Sequence, residues 1–181
     1  MLVMKFGGTS VGTASSMRLV SDAISNQSGQ KIVVLSASAG ITDKLINITT
    51  LLPDNLQQAS DTYSEIDKTT LRISDELGLN TESVQKVKDI LFSLKELIEG
   101  VELLNFVSPN VRNKIIAKGE LLSTTIFSEY YSSKSNSSFF DITNHLVYNS
   151  KSDEYQINDK ETIEELLEKH NTVITHVVIC K

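Results

Sequence analysis

Near its start the chain carries a lysine, two glycines and two hydroxyls in close succession, Met4-Lys5-Phe6-Gly7-Gly8-Thr9-Ser10. A short apolar run, Leu2-Val3-Met4, ends at Lys5 and breaks into the glycines. An amphipathic helix is expected to follow, with Met17, Val20 and Ile24 on one face. Strand, glycine turn and helix N-terminus together make an anion site, because free backbone N–H groups point outward and the helix dipole favours negative charge. Lys5 adds a full positive charge, and glycine lets the backbone approach a phosphate closely. The chemistry this points to is phosphoryl transfer. Neither familiar phosphate signature is present: the lysine precedes the glycines, unlike GxxxxGK[ST], and no GxGxxG occurs with an acidic partner about twenty residues on. Taken alone, a double glycine after a strand reads as an ordinary tight turn.

Two further segments could join this chemistry. Lys31-Ile32-Val33-Val34-Leu35 reads as a parallel strand buried on both faces, and it runs into the small residues Ser36-Ala37-Ser38-Ala39-Gly40. A helix is expected from near Thr42, with Leu45, Ile48 and Leu52 on one side. Ligands in open α/β sheets bind beyond the carboxyl ends of the strands. If the two strands are parallel, both loops lie there, and Lys5, Thr9, Ser10, Ser36 and Thr42 become candidates. The third segment is Lys118-Gly119-Glu120-Leu121-Leu122-Ser123. A glycine inside a helix costs about 1 kcal/mol against alanine, and a packing contact or a close ligand is the usual reason for one. Glu120, if buried, could receive an ammonium group. Pattern alone favours the other reading, in which Gly119 marks a helix–helix contact and Glu120 is solvated.

The middle of the chain reads as helical. Ile66, Ile73 and Leu77 mark one helix, ended by Gly78. Val84, Val87, Leu91, Leu94, Ile98 and Val101 form a heptad-like seam, too short for a partner zipper and read as internal packing. Ser108-Pro109 is an N-cap followed by proline at the first helical position, opening a helix that carries Val111, Ile115, Leu122 and Ile126. Beyond it come a polar turn over 132–138, a short strand Phe139-Phe140 ending at Asp141, a polar loop over 149–158 and a surface helix over 162–170 with Ile163, Leu166 and Leu167 inward. A β-branched strand, Val173 to Cys180, comes last. This order predicts an α/β fold: a mostly parallel sheet flanked by helices, with a helical insert over about 55–105 and strands beginning near Leu2, Lys31, Ser138 and Thr172.

Of the 181 residues, 40% are hydrophobic and 22% charged, as in an ordinary globular chain. The net charge of −6 argues against a sequence-independent nucleic-acid binder, which needs a basic stripe. The single cysteine, Cys180, excludes an intramolecular disulfide and points to a reducing compartment, the cytoplasm. No apolar run reaches the roughly 18–20 residues of a membrane span, and no signal-peptide pattern opens the chain. His145, His170 and His176 lack metal-like spacing and are read as surface or structural. Cys180 is read as a small core residue, and Asp153-Glu154 and Glu164-Glu165 as solvated pairs.

In register, three segments resemble the N-terminal part of the catalytic domain of the aspartokinases, in the amino acid kinase family. They are Lys5-Phe6-Gly7-Gly8-Thr9-Ser10-Val11, Val33 to Thr42, and Gly119-Glu120-Leu121-Leu122-Ser123. Phe140-Asp141, followed by loop, helix and strand, continues the layout, so that the resemblance spans nearly the whole chain. It implies the N-terminal lobe of an amino acid kinase or carbamate kinase-like fold over 1–181. It implies ATP-dependent phosphorylation of the L-aspartate side-chain carboxylate, giving 4-phospho-L-aspartate, the first step towards lysine, methionine and threonine. ATP and Mg2+ are the implied cofactors, with no protein metal ligand, and a homo-oligomer is the implied assembly. Lys5 would stabilise the transferring phosphoryl group, and Gly7, Gly8, Thr9 and Ser10 would approach the nucleotide phosphates. Ser36 and Ala37 would lie near the reaction centre, and Thr42 and Glu120 would hold aspartate, Glu120 through its amino group. A lysine aimed at transition-state charge is worth on the order of 10²–10³ in rate.

The chain also departs from the family pattern. Ile142-Thr143-Asn144 lacks the Asp-x-Arg pattern that many members show after the aspartate. The Gly-Phe loop, the Gly-Arg-Gly-Gly-Ser-Asp segment, the nucleotide-binding half and the regulatory ACT domains of the family are not in these residues. The expectation is therefore a piece of a longer enzyme, monofunctional or fused to a dehydrogenase, that is inactive alone. The competing readings are another amino acid kinase, with a different carboxylate or carbamate substrate, and a non-catalytic fragment.

Overall fold

The computed structural model describes residues 1–52, 54–104, 106–149, 154–157 and 160–177. Expectations for Asp153, Val178, Ile179 and Cys180 lie outside them. Four strands form one sheet in the order β1-β2-β6-β3, where β1 is Leu2–Phe6, β2 Lys31–Leu35, β3 Ser137–Phe139 and β6 Thr172–His176. Every neighbouring pair is parallel; the central β2 and β6 are buried or half-buried, whereas the edge strand β1 leaves Leu2 and Val3 exposed. β6 sits between β2 and β3, and its five residues are all buried.

Helices cover both faces. Along β2 and β6, Val33, Leu35 and Ile174 point into a large core shared with α1 (Ala14–Ser25), α2 (Ile41–Leu51), α3 (Leu56–Leu77), α4 (Thr81–Leu104) and α5 (Pro109–Ser132). Ile32 and Val173 point the other way, to a smaller cluster with Phe140 and with Ile163, Leu166 and Leu167 of α6 (Lys160–Lys169). This alternation is the strand period of two.

The insert expected over about 55–105 consists of α3 and α4, and it shares the main core. Val87, Leu91, Leu94, Ile98 and Val101 are buried as the seam demands, whereas at its start Ser83 is buried and Val84 only half-buried. Tyr63 Oη donates to the Leu91 carbonyl at 3.2 Å, tying α3 to α4. Glu129 of α5 accepts from Ser83 Oγ at 2.7 Å and Lys86 Nζ at 2.9 Å, tying α4 to α5. Ser108 caps α5, with Pro109 at its first position.

The polar loop expected over 149–158 is corrected by an antiparallel ribbon, β4 (Leu146–Asn149) with β5 (Glu154–Ile157), in which Tyr148 registers on Tyr155. Val147, Tyr148, Tyr155 and Ile157 are strand formers, but the polar residues around them dilute the pattern.

Candidate active site

The parallel pairing of β1 with β2 puts Phe6 beside Leu35, so that the two small-residue loops leave the sheet at the same end. There they lock together. Ser36 N–H donates to the Phe6 carbonyl at 3.2 Å and Ala39 N–H to the Gly8 carbonyl at 3.0 Å. Ser38 Oγ donates to the Val11 carbonyl at 2.7 Å. A side chain at Gly8 would put its Cβ 2.7 Å from the Ala37 carbonyl oxygen and 3.2 Å from Ala39 N, which only glycine avoids.

The third segment docks on the same spot. A Cβ at Gly119 would lie 2.9 Å from Leu45 Cδ1, 3.2 Å from Ala37 Cβ and 3.4 Å from Ile41 Cγ2. Ser123 Oγ, one turn on, donates to the Ser36 carbonyl at 2.8 Å. Lacking a side chain at Gly119, α5 thus lies against the β2 loop and α2. The helix-contact reading of Gly119 holds, but the solvated reading of Glu120 does not. Glu120 is 3% exposed, and its Oε2 has no hydrogen-bond partner. Burial pushes its carboxyl above the usual range, opposed by a bond to its own backbone N–H and by the His176 charge. A buried carboxyl oxygen left unpaired by the protein is open to a donor from water or a ligand.

Lys5, Gly7 and Thr9 are exposed at the mouth of this end, with Gly8, Ser10, Ser36 and Thr42 half-buried and Ala37 buried. Thr42 occupies the first turn of α2, after Gly40 in the left-handed conformation. One expectation is corrected here. The glycine turn enters a short 3-10 helix, Gly8–Val11, and α1 starts only at Ala14. Thr13 caps α1 and forms a capping box with Ser16, so the N-terminus of α1 has donors already engaged. Lys5 and the glycine turn are exposed to a phosphate at this end, and α2 starts there after Gly40 with no side-chain cap.

Reasoning from sequence missed the groups at the ends of β3 and β6. The sequence reads His176 as surface or structural, yet its side chain is 2% exposed and its Nε2 lies 3.0 Å from Asp141 Oδ1. Asp141 also accepts from Thr143 N–H at 3.0 Å, Thr143 Oγ1 at 2.5 Å and Asn144 Nδ2 at 3.2 Å. Burial pushes the Asp141 carboxyl up, but the bonds from His176 and Thr143 outweigh it and hold it at about 2. Lys118 is half-buried, and burial pulls its ammonium below the usual lysine range, with Asp141 opposing. Asp141 lies just beyond the end of β3, but His176 is the last residue of β6, where the sequence alone places it in the middle of a strand running to Cys180, so no local signal marks the pair. The other histidines fit their bland readings: His145 stacks on Phe140 at 4.4 Å, and His170 Nδ1 lies 2.7 Å from Asn136 Oδ1.

Among the described residues no three His, Cys, Asp or Glu side chains gather as a metal cage, and no helix is long and apolar enough to cross a membrane.

Known proteins share this arrangement of the chain. Aspartokinase III of Escherichia coli, in a structure with aspartate and ADP, superposes with a TM-score of 0.81 at 25% identity, over 97% of this chain and 40% of that one. Chloroplastic aspartokinase 2 of Arabidopsis thaliana is 32% identical over 133 residues, 71% of this chain and 24% of that protein. The aspartokinase of Chlamydia trachomatis is 36% identical over 129 residues, 71% of this chain and 27% of that protein. The chain thus spans about a quarter of the length of these curated relatives. A model of the amino acid kinase family matches residues 1–181. With its full length accounted for in this way, the chain belongs to the amino acid kinase family.

Proposed function

We propose that these residues build the amino-acid side of an aspartate kinase. In the reaction an oxygen of the L-aspartate side-chain carboxylate attacks the γ-phosphorus of ATP. The bond from that phosphorus to the β,γ-bridging oxygen breaks, and 4-phospho-L-aspartate and ADP leave. This is the first step towards lysine, methionine and threonine. The observation that carries the reading is the meeting of three segments, far apart in sequence, around a buried carboxylate with a free oxygen. The aspartate and ADP named for the superposed Escherichia coli enzyme support it.

Glu120 receives the substrate ammonium group, and Thr42 lies at the start of α2 to bind the same amino acid. Ser36 and Ala37 border the reacting carboxylate. Gly7, Gly8, Thr9 and Ser10 admit the nucleotide phosphates, and Lys5 meets charge that grows on the transferring group. Such chemistry needs positioning and charge neutralisation more than covalent help. Magnesium belongs to this reading as the counter-ion of the nucleotide phosphates. The same reading takes a small molecule rather than nucleic acid or membrane as partner, with a homo-oligomer as the assembly. The net charge of −6 and the single cysteine support that choice and a cytoplasmic setting.

The test is steady-state kinetics, by coupled ADP release, on the polypeptide as the organism makes it. Lys5→Ala is expected to lower kcat by about 10²–10³ with little change in the KM for aspartate, because its partner charge develops in the transition state. Glu120→Ala is expected to raise the aspartate KM strongly. Absence of aspartate-dependent ADP release in the unmodified protein would overturn the reading, and turnover with a different carboxylate would redirect it within the family.

A further inference from the structure

Lysine is almost never fully buried without a charged partner, yet Lys31, the first residue of β2, is 6% exposed. Its ammonium has three N–H donors and no acceptor. Two of them go to carbonyl oxygens in the turn between α1 and β2, Gln27 at 2.9 Å and Gly29 at 3.1 Å. Among the described residues the third has no partner, and no carboxylate pairs with the ammonium. Closing a turn needs donors and not a full charge. The charge is left to be met from elsewhere, because a buried ion without a counter-charge is costly.

Lys31 lines a polar cavity of about 180 Å³ at the amino end of the sheet. The small-residue loops of the candidate active site leave from the other end, about 13 Å away over the length of β2 at the usual strand rise. The cavity floor is buried and holds Lys31, Tyr131 and Thr172, the last in register with Lys31. Ser25 ends α1, Ser135 and Asn136 stand in the turn after α5, and Asn171 precedes β6, and these form the rim. None of these residues is acidic. The hydroxyls of Ser25, Tyr131 and Ser135 make no hydrogen bond to a described residue. The ring of Tyr131 stacks on Phe127 at 5.8 Å, which fixes the place of its hydroxyl. Asn136 is already engaged: its Nδ2 donates to the Lys169 carbonyl at 3.1 Å, and its Oδ1 faces His170 Nδ1 at 2.7 Å.

We propose that this cavity binds a phosphate-type oxyanion, with Lys31 as its cationic partner. The free donors come from β2, α1, α5 and the turn after α5, and so from several directions. A tetrahedral oxyanion meets donors on all sides, whereas a planar carboxylate presents two oxygens in one plane. The volume equals about six waters at about 30 Å³ each, enough for one phosphate group and part of its hydration. The exposed rim lets the ion enter without opening the fold. A hydrogen bond from the ammonium to a phosphate oxygen is charge-assisted, about twice as strong as a neutral one. The site shares no residue with the aspartate-site reading and stands without it.

The experiment is a 1H–15N NMR titration of the 181-residue chain with sodium phosphate, beside sodium chloride at matched ionic strength. Phosphate is expected to move the amides of Lys31, Asn136, Asn171 and Thr172 along a saturating curve that chloride does not reproduce. Shifts that never saturate, or equal shifts in chloride, overturn the site, because screening alone would give them. Lys31→Met is expected to abolish the saturating shifts, and a folded Lys31→Met chain that binds phosphate as before overturns the role of the lysine. Tyr131→Phe and Ser135→Ala each remove one hydroxyl and decide the matter if Lys31→Met does not fold. Each is expected to weaken phosphate by about threefold or more, the usual worth of one hydrogen bond. Unchanged affinity in both overturns the assignment. Acetate tests the chemical class, and saturation by acetate as readily as by phosphate overturns the phosphate-type reading. Glycerol phosphate separates the sources: tighter binding than inorganic phosphate assigns the cavity to a phosphomonoester, and weaker binding assigns it to the free ion, each in support of the site.

Discussion

The two halves of the candidate site are built by opposite means. On the β1–β2 side the site is shaped by missing side chains: Gly8 lies against the Ala37 carbonyl, and Gly119 against Leu45, Ala37 and Ile41. On the β6–β3 side it is shaped by charge, with Asp141, His176 and Glu120 gathered where strand ends and helix meet. The first half is steric, with backbone atoms at the Gly8 contact and side-chain atoms at the Gly119 contact. The second is electrostatic and changes with pH. Damage to the first should therefore appear as lost stability at any pH, and damage to the second as an altered pH dependence.

The largest effect is expected from Gly8→Ala. Its Cβ would sit 2.7 Å from the Ala37 carbonyl oxygen and 3.2 Å from Ala39 N. Both are backbone atoms, and neither can rotate away. Overpacking of this kind costs about 3 kcal/mol, the upper end of the usual range, because two loops must part. Urea denaturation at several pH values between 5 and 8 is the check. The expected loss is the same at each, and a loss below about 0.5 kcal/mol would show that the loops are not locked.

The contrast also explains what was legible beforehand. The steric half is written in short runs: Gly7-Gly8 after β1, Ser36 to Gly40 after β2, and a glycine inside α5. Each run is local, and the parallel pairing of β1 with β2 brings the first two to one end of the sheet. The charged half depends on β6 lying beside β3, across a helix and a ribbon, and no periodicity reports strand order. The burial of Glu120 was equally hidden, because it follows from how α5 docks on the β2 loop rather than from residues beside it. The capping box of α1 is hidden in the sequence, because Ser16 stands at the third position in place of the usual Glu or Gln.

A middle-sized effect, confined to acid, is expected from Asp141→Asn. The folded carboxyl is held at about 2, against 3.8 when free. A depressed carboxyl contributes stability that is present above 3.8 and is lost as pH falls towards 2. The shift of just under two units sets a ceiling of about 2.5 kcal/mol, and partial exposure of the group reduces this to about 1–2 kcal/mol at neutral pH. Glu120 has the opposite sign. Its raised carboxyl holds its proton better in the folded chain, so its contribution worsens as pH rises past 4.5. The unmodified chain should therefore lose stability on going from pH 4 to pH 2 more steeply than Asp141→Asn does. Denaturation curves that stay parallel over that interval would mean that Asp141 does not carry the acid limb.

The smallest effect is expected from Gly119→Ala, although its position is as central as that of Gly8. Its Cβ would meet Leu45 Cδ1 at 2.9 Å, but that atom is the tip of a flexible side chain. Ala37 Cβ at 3.2 Å must give by a few tenths of an ångström, and Ile41 Cγ2 at 3.4 Å is ordinary contact. Against this crowding stands the gain of about 1 kcal/mol from replacing a glycine inside a helix. The two terms nearly cancel, so stability should stay within about 1 kcal/mol of the unmodified chain. The displacement falls on Ala37, next to Ser36, and so on the position of the β2 loop. If the aspartate-site reading is right, affinity for aspartate should fall more than stability does, and isothermal titration beside urea denaturation separates the two. A stability loss as large as that of Gly8→Ala would mean that Ala37, held by its own backbone, sets the limit and that Leu45 cannot yield. The steric half would then be rigid on both of its walls, and the charged half would be the only part of the site able to adjust to a ligand.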